Sequence, residues 1–274
     1  MEPVNSTVWK TLLERKAETH KYDYGHVLVV GGSPGMVGSP LLVAMAALRI
    51  GAGLVTIASA PDVVDKLEKR VLEVMTLRID KSVEPLEDFI KERKVRALAI
   101  GSGLSKNRLG FVNELLGKVD LPVVLDAGAL EAHDSAKNAV LTPHEGELTR
   151  LLAKPLSGDK KTLAKELAEQ WGQVVVLKGP YTIVAGPGEQ VYVNDTGNPG
   201  LATAGTGDVL SGVIAGLLSQ GIEHYKAATH GAYIHGLAGD LAAADKTEAG
   251  LIASDVVEYL PNAIKKVVTN ITNP

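Results

Sequence analysis

The 274-residue chain contains no cysteine, which excludes disulfides, a thiolate metal site and a cysteine nucleophile and agrees with a reducing compartment. Aromatic residues make up only 4%, so a platform that stacks bases or other flat ligands is not expected. The formal net charge is −4, with 28 Lys and Arg scattered among 32 Asp and Glu, and no basic stripe marks a nucleic-acid partner. No apolar run approaches the roughly 18–20 residues that span a bilayer. The N-terminal segment MEPVNSTVWKTLLERKAETH is mixed and charged, without the apolar centre of a signal peptide. A cytoplasmic protein that engages neither membrane nor nucleic acid is therefore expected. No Pro/Gly/Ser-rich linker, low-complexity tract or repeat divides the chain, so a single domain spanning 1–274 is the simplest organisation.

What is present is ordinary globular usage, 45% hydrophobic and 22% charged, with an abundance of glycine (29 residues). A chain of this length buries most of its apolar surface without staples. Short apolar runs recur with Gly, Pro or Asp at or near their ends and mostly a helical pattern after them: HVLVV (26–30), LVTIAS (54–59), ALAIGSGL (97–104), PVVLDAGAL (122–130) and QVVVLKGP (173–180). Continuous apolar strands alternating with helices predict a mostly parallel sheet covered by helices on both faces. Open α/β sheets bind ligands at the carboxyl ends of such strands. After Lys178, YTIVAGPGEQVYVND alternates around a Gly-Pro-Gly turn and predicts a β-hairpin. From Thr206 onward the pattern is mostly helical.

Two glycine-rich loops bear on chemistry. In GGSPGMVGS (31–39) the glycines satisfy neither the dinucleotide fingerprint nor the Walker A loop. The loop is either a tight β–α turn or a place where backbone N–H groups meet a ligand. In GLATAGTGDVLSG (200–212), apolar residues at 209, 210, 213, 214, 217 and 218 form a helical stripe. Gly212 and Gly216 share one face, which permits close approach of another element. The helix starts near Thr206-Gly207-Asp208, where unpaired amides and the helix dipole suit a phosphate. Asp208 is then either a helix cap, gaining about 0.3–1 kcal/mol from the dipole, or a general base beside a phosphoryl acceptor. The residues alone leave both open. In LTPHEGELTRLL (141–152), Thr142 and Glu145 fit a capping box with Pro143 at the first helical position. That leaves His144 and Glu147 without a structural task. No H-E-x-x-H and no G-x-S-x-G occurs, so a zinc protease and a nucleophile elbow are unsupported.

Taken together, GGSPGMVGSPLLVAMAALRIGAG (31–53), AIGSGL (99–104), LDAGAL (125–130), LTPHEGEL (141–148), VVVLKGPYT (174–182) and NPGLATAGTGDVLSG (198–212) resemble, in order, the ADP/ATP-dependent NAD(P)H-hydrate dehydratase family of the ribokinase-like superfamily. The resemblance covers most of the chain. It implies a ribokinase-like α/β fold and a repair lyase acting on the S epimer of NADH or NADPH hydrate (NADHX, NADPHX). The hydrate hydroxyl is phosphorylated by ADP or ATP with Mg2+, and phosphate elimination restores the dihydronicotinamide. Asp208 would take the hydroxyl proton, and the amides of Ala204, Gly205, Thr206 and Gly207 would form the anion hole. Ser39, Gly103, His144 and Asp208 would contact the hydrate. Lys178, Gly179, Pro180, Tyr181, Thr182 and Gly207 would border the nucleotide, and Glu147 would order Mg2+ through water. The family commonly forms homotetramers, and a separate epimerase would serve the other epimer, because only about 25 residues precede the first strand.

Three positions depart from the family pattern. Ser39 replaces a usual Ala, Ser102 a common Pro, and Ala204 a common Gly. The competing reading is a vitamin-precursor kinase of the same superfamily, which would share Asp208 and the anion hole but release a phosphorylated product. A nucleotide-binding regulator without chemistry is disfavoured, since a sensor needs no acid beside the anion hole.

Overall fold

All five residues of HVLVV, strand β1 (His26–Val30), are buried, so both faces of this strand are covered by other elements. The structure is a computed structural model and describes residues 17–272 together with positions 9 and 15. After β1 come α1 (Gly38–Arg49), β2 (Leu54–Ser59), α2 (Pro61–Leu67), β3 (Met75–Arg78), α3 (Glu84–Glu92), β4 (Ala97–Ile100) and α4 (Leu109–Lys118). Then follow β5 (Val123–Leu125), β6 (Ala139–Leu141), α5 (Glu145–Leu152), α6 (Lys160–Trp171), β7 (Val174–Leu177), β8 (Ile183–Ala185) and β9 (Tyr192–Val193). Three consecutive helices complete the described chain: α7 (Thr206–Ser219), α8 (His224–Lys246) and α9 (Ala253–Thr272).

Among the described residues the strands form one nine-stranded sheet in the order β3-β2-β1-β4-β5-β6-β7-β8-β9. Pairing is parallel from β3 through to β7 and antiparallel for β8 and β9. The expected hairpin after Lys178 is thus present, with Ile183 opposite Val193. Two strands that the apolar runs did not announce are β3 and β6. β3 lies at the sheet edge with half-exposed residues, and β6 is only three residues long, so neither needs a long apolar run.

Alternate strand residues feed two cores. Val27, Val29, Val55, Ile57, Val124 and Val176 face a layer built from α1, α7, α8 and α9. Leu28, Val30, Leu98, Leu125, Leu141 and Leu177 face Leu86, Leu115, Leu148 and Leu167 of α3 to α6. A side-chain period of two on a sheet covered on both sides requires this division. On the first face, α1 and α7 run in backbone contact. A Cβ on Gly212 would lie 2.2 Å from the Val43 carbonyl oxygen, so only glycine permits this approach. The contact brings the N-terminal turns of both helices to the same end of the sheet.

The strand order reverses direction at the β1–β4 boundary, a topological switch point that opens a crevice beyond the strand ends. The loops leaving β1 and β4 are tied together there: the Gly32 N–H donates to the Ser102 carbonyl at 2.9 Å, and the Gly101 N–H to that of Val30 at 3.1 Å.

Candidate active site

The start of α7 stands over this crevice. Its N-cap, Gly205, has φ of +94°, and no side chain caps the helix. That left-handed conformation favours glycine, and a Cβ there would also lie 2.6 Å from Leu42 Cδ1. The Thr206 hydroxyl donates inward, to the Leu201 carbonyl at 2.7 Å and the Thr203 carbonyl at 3.0 Å. From α8, His235 Nε2 donates to the Thr206 carbonyl at 2.9 Å. Burial pushes the His235 pKa down to about 4, so the ring is neutral. The helix entrance is therefore held from beneath, while its first-turn N–H groups lack intrahelical partners.

Asp208 follows on the same turn. Burial, and then the charge of Asp126, push its carboxyl above the ordinary aspartate value. Hydrogen bonds from the Ser102 and Ser39 hydroxyls, and the Lys178 charge, pull in the other direction without cancelling the rise. Asp208 stands in the first turn of α7, where the helix dipole favours its charge, and one carboxylate oxygen lies 3.9 Å from where a Cβ on the N-cap Gly205 would stand, so the cap and the base readings share this position.

Lys178, at the end of β7, brings a cation to the same place. Its Nζ lies 2.8 Å from Asp126 Oδ1 and 3.6 Å from Glu147 Oε2, with all three side chains largely buried. A Cβ on Gly207 would lie only 3.3 Å from this ammonium, so Lys178 sits directly against the first turn of α7. Burial opposes the lysine's charge, but Asp126, Glu147 and Asp208 outweigh it and raise its pKa. The Thr142 hydroxyl donates to the same Asp126 oxygen, Oδ1, at 2.9 Å.

The capping box of the LTPHEGEL segment forms two residues later than Thr142–Glu145. Thr142 and Pro143 are still extended beside the sheet, where the Pro143 carbonyl accepts from the Lys178 N–H at 2.8 Å. The chain can turn into α5 only after that pairing ends. His144 becomes the N-cap, with its Nδ1 accepting from the Glu147 N–H at 3.2 Å. Glu147 Oε2 in turn accepts from the His144 N–H at 2.8 Å. Both residues therefore have a structural task, while the outer edge of the half-exposed His144 ring remains open to solvent.

The candidate residues thus fall into one zone at the strand ends. Gly103 packs on Ser39, since a Cβ at Gly103 would lie 3.0 Å from Ser39 Cβ. The run Lys178 to Thr182 forms the β7–β8 turn, with Tyr181 exposed and the Thr182 hydroxyl donating to the Gly179 carbonyl at 3.3 Å. Residues to which the motifs assigned no role are Asp126 and His235, while Ser102 was named only as a departure from the family pattern. Asp126 carried a signal as an acid ending an apolar run, and Ser102 as the residue between two glycines after a strand. His235 carried none within its alanine-rich helix.

Magnesium has no preformed cage here. Among the described residues no group of three His, Asp or Glu side chains could hold a metal ion. Glu147, the candidate ligand, already spends one oxygen on the α5 cap and faces Lys178. These residues do not fit a direct magnesium site.

A mostly parallel sheet with a switch point between β1 and β4, and an acid on the glycine-rich helix entrance above it, define an enzyme fold of the ribokinase-like class. Within that class, the chain belongs to the NAD(P)H-hydrate dehydratase family, whose profile matches residues 27–262. The bifunctional NAD(P)H-hydrate repair enzyme of Moorella thermoacetica is 43% identical over 276 residues, covering 93% of this chain and 52% of the relative. The chain thus spans about half the length of such bifunctional relatives. The ADP-dependent (S)-NAD(P)H-hydrate dehydratase of Bacillus subtilis is 35% identical over 265 residues, covering 93% of this chain and 95% of the relative. A crystal structure of ADP/ATP-dependent NAD(P)H-hydrate dehydratase from Bacillus subtilis, co-crystallized with ATP and Mg2+, superimposes with a TM-score of 0.82 at 33% identity, covering 96% and 97% of the two chains.

Proposed function

We propose that this chain, as a single domain, dehydrates the S epimer of NADH or NADPH hydrate with ADP or ATP as phosphoryl donor. The carrying observation is a part-buried carboxylate, Asp208, one residue from helix-entrance amides that also face the Lys178 ammonium. Hydroxide is a poor leaving group and phosphate a good one, so the hydrate hydroxyl is first phosphorylated. Asp208 takes the hydroxyl proton as its oxygen attacks the terminal phosphorus and the bond to the departing nucleotide breaks. The amides from Ala204 to Gly207, with Lys178 beside them, hold the charge of the transferring group. Phosphate then leaves with the electrons of the C6–O bond as the ring nitrogen supplies its electron pair, and loss of the C5 proton restores the C5–C6 double bond.

Ser39, Gly103 and His144 border the hydrate, while the β7–β8 turn from Lys178 to Thr182, together with Gly207, borders the adenine nucleotide. A cavity of about 220 Å³ on the other side of the Gly31–Gly32 loop, reaching Ser59 and Arg108, adds room beside this crevice for an elongated ligand. Mg2+ enters with the nucleotide, bound by its phosphate oxygens and water, and Glu147 reaches it only through water. An epimerase activity feeds in the S epimer, and the assembly is a cytoplasmic homotetramer. Light scattering checks the assembly state.

Incubation with NADPH hydrate, ADP and Mg2+ should regenerate absorbance at the reduced-nicotinamide band. Failure to do so with either ADP or ATP, together with phosphorylation of a vitamin precursor, would overturn the reading in favour of a superfamily kinase.

A further inference from the structure

Arg108, in the segment between β4 and α4, lines the cavity beyond the Gly31–Gly32 loop. Its Nη1 donates to the Asp80 carbonyl and its Nη2 to the Ile79 carbonyl at 3.5 Å, while its guanidinium carbon stands 4.7 Å from the centre of the Phe111 ring. These contacts fix the guanidinium but use only two of its five N–H groups. Arg78, at the end of β3, is neutralised by Asp65 and Glu68. Among the described residues no carboxylate does the same for Arg108, and Asp80 offers it only a main-chain oxygen. Strand order sets how far this cation lies from the reacting end. The Ile79 N–H donates to the Ser59 carbonyl at 2.9 Å, so Ile79 continues the β3 edge of the sheet. Gly207, next to Asp208, lies against Lys178, whose Nζ reaches Asp126 just beyond β5. In the order β3-β2-β1-β4-β5 these places are four strand spacings apart, about 19 Å. A dinucleotide extended from Asp208 towards the β3 edge lays its pyrophosphate near the midpoint, at the Gly31–Gly32 turn after β1, and brings its adenosine ribose to Arg108. Leu104, which follows the hydrate-bordering Gly103, also lines the cavity, so crevice and cavity share a wall.

We infer that Arg108 is a specificity-determining residue that receives the adenosine 2′-phosphate of NADPH hydrate, so that this chain prefers NADPH hydrate to NADH hydrate. A phosphate monoester carries nearly two negative charges and three acceptor oxygens, and the guanidinium fork matches that geometry. NADH hydrate brings only a hydroxyl to the same place and leaves the free N–H groups of Arg108 to water. Lys81 and Lys106, exposed beside Asp80 and Arg108 in the chain, add positive charge to this edge. Ser33, Ser105 and Asn107 line the cavity with uncharged polar groups that suit a ribose.

The inference rests on the dehydratase reading, and its test separates the two. kcat/KM is measured for NADPH hydrate and for NADH hydrate, with saturating ADP and Mg2+, in wild type, Arg108→Ala and Arg108→Lys. The ratio of the two values is the readout, because it does not depend on how much of a preparation is correctly folded. Wild type should favour NADPH hydrate by about tenfold to a hundredfold, the effect of charge-assisted hydrogen bonds, and mainly through KM. Arg108→Ala should bring the ratio close to one. Arg108→Lys, which keeps the charge and loses the fork, should fall between them. A purely structural Arg108 would lower both values together and leave the ratio where it was. In parallel, calorimetry reads the binding of NADP+ and NAD+ without turnover; NADP+ should bind more tightly to wild type, and Arg108→Ala should remove the difference. Hydrate turnover with a wild-type ratio near one, or a ratio unmoved in Arg108→Ala, would overturn the phosphate site and leave the dehydratase reading in place. An NADP+ preference that Arg108→Ala abolishes, in a protein that turns over neither hydrate, would uphold the phosphate site and sink the dehydratase reading. Neither turnover nor a preference for NADP+ would overturn both.

Discussion

Asp208→Asn probes the centre of the mechanism, because it keeps the shape of the side chain and its acceptor oxygen while removing the charge and the basicity. A positioned general base contributes about 10²–10⁴-fold, so kcat should fall by that factor, equivalent to about 3–5 kcal/mol of transition-state stabilisation. Nucleotide affinity, measured by calorimetry, should hold or tighten, since an anion leaves the neighbourhood of the helix entrance. Stability provides an independent sign. The folded state raises the Asp208 pKa, through burial first and Asp126 second, so ionising it costs stability at pH above the folded value. The variant should therefore unfold at a higher Tm than wild type at neutral pH, and the difference should vanish as pH falls and the wild-type carboxyl protonates. A helix cap predicts the opposite, a loss of about 0.3–1 kcal/mol from the weakened dipole interaction. Recovery of the reduced-nicotinamide absorbance gives kcat, and thermal scans at several pH values give the stability difference. Turnover within tenfold of wild type, or a lowered Tm at neutral pH, would refute the reasoning.

Replacing Lys178 by Met leaves Asp126 buried and unpaired, so unfolding should become easier by about 3–5 kcal/mol, as read in urea titrations. Adding Asp126→Asn should recover much of that stability but not turnover, because the cation beside Gly207 is still missing. His235 is buried with its pKa pushed down to about 4, so the wild type should lose stability as pH falls from about 6.5 towards 4, by roughly 3 kcal/mol. His235→Gln, which can still donate to the Thr206 carbonyl, should flatten that slope in acid-titrated thermal scans. Gly212→Ala puts a methyl 2.2 Å from the Val43 carbonyl oxygen and must part α1 from α7. It should cost about 1–3 kcal/mol and lower turnover as well, because the start of α7, which carries Asp208, is displaced. Intact turnover in this variant would show that the helix contact does not set the site.

The apolar runs determined much of the architecture by themselves. HVLVV and LVTIAS became β1 and β2 over those same residues, because a sheet covered on both faces demands continuous apolar strands. The stripe from Val209 and the pair Gly212 and Gly216 likewise foretold a helix in close contact with a neighbour. Strands β3 and β6 were not legible: β3 is a half-exposed edge strand, and the apolar run of β6 is only the three residues Ala139–Leu141, closed by Thr142 and Pro143. The start of α5 was read two residues early: local capping chemistry favours Thr142, but pairing of Pro143 with Lys178 keeps the chain extended until His144. At the site, the sequence supplied Asp208 and its glycines, yet cap and base share the same local pattern. What bears on the choice comes from distant segments: burial and Asp126 raising its pKa, Lys178 approaching Gly207, and His235 holding Thr206 from below. Burial and charge proximity between segments so far apart in the chain are properties of the folded arrangement, and no local pattern encodes them.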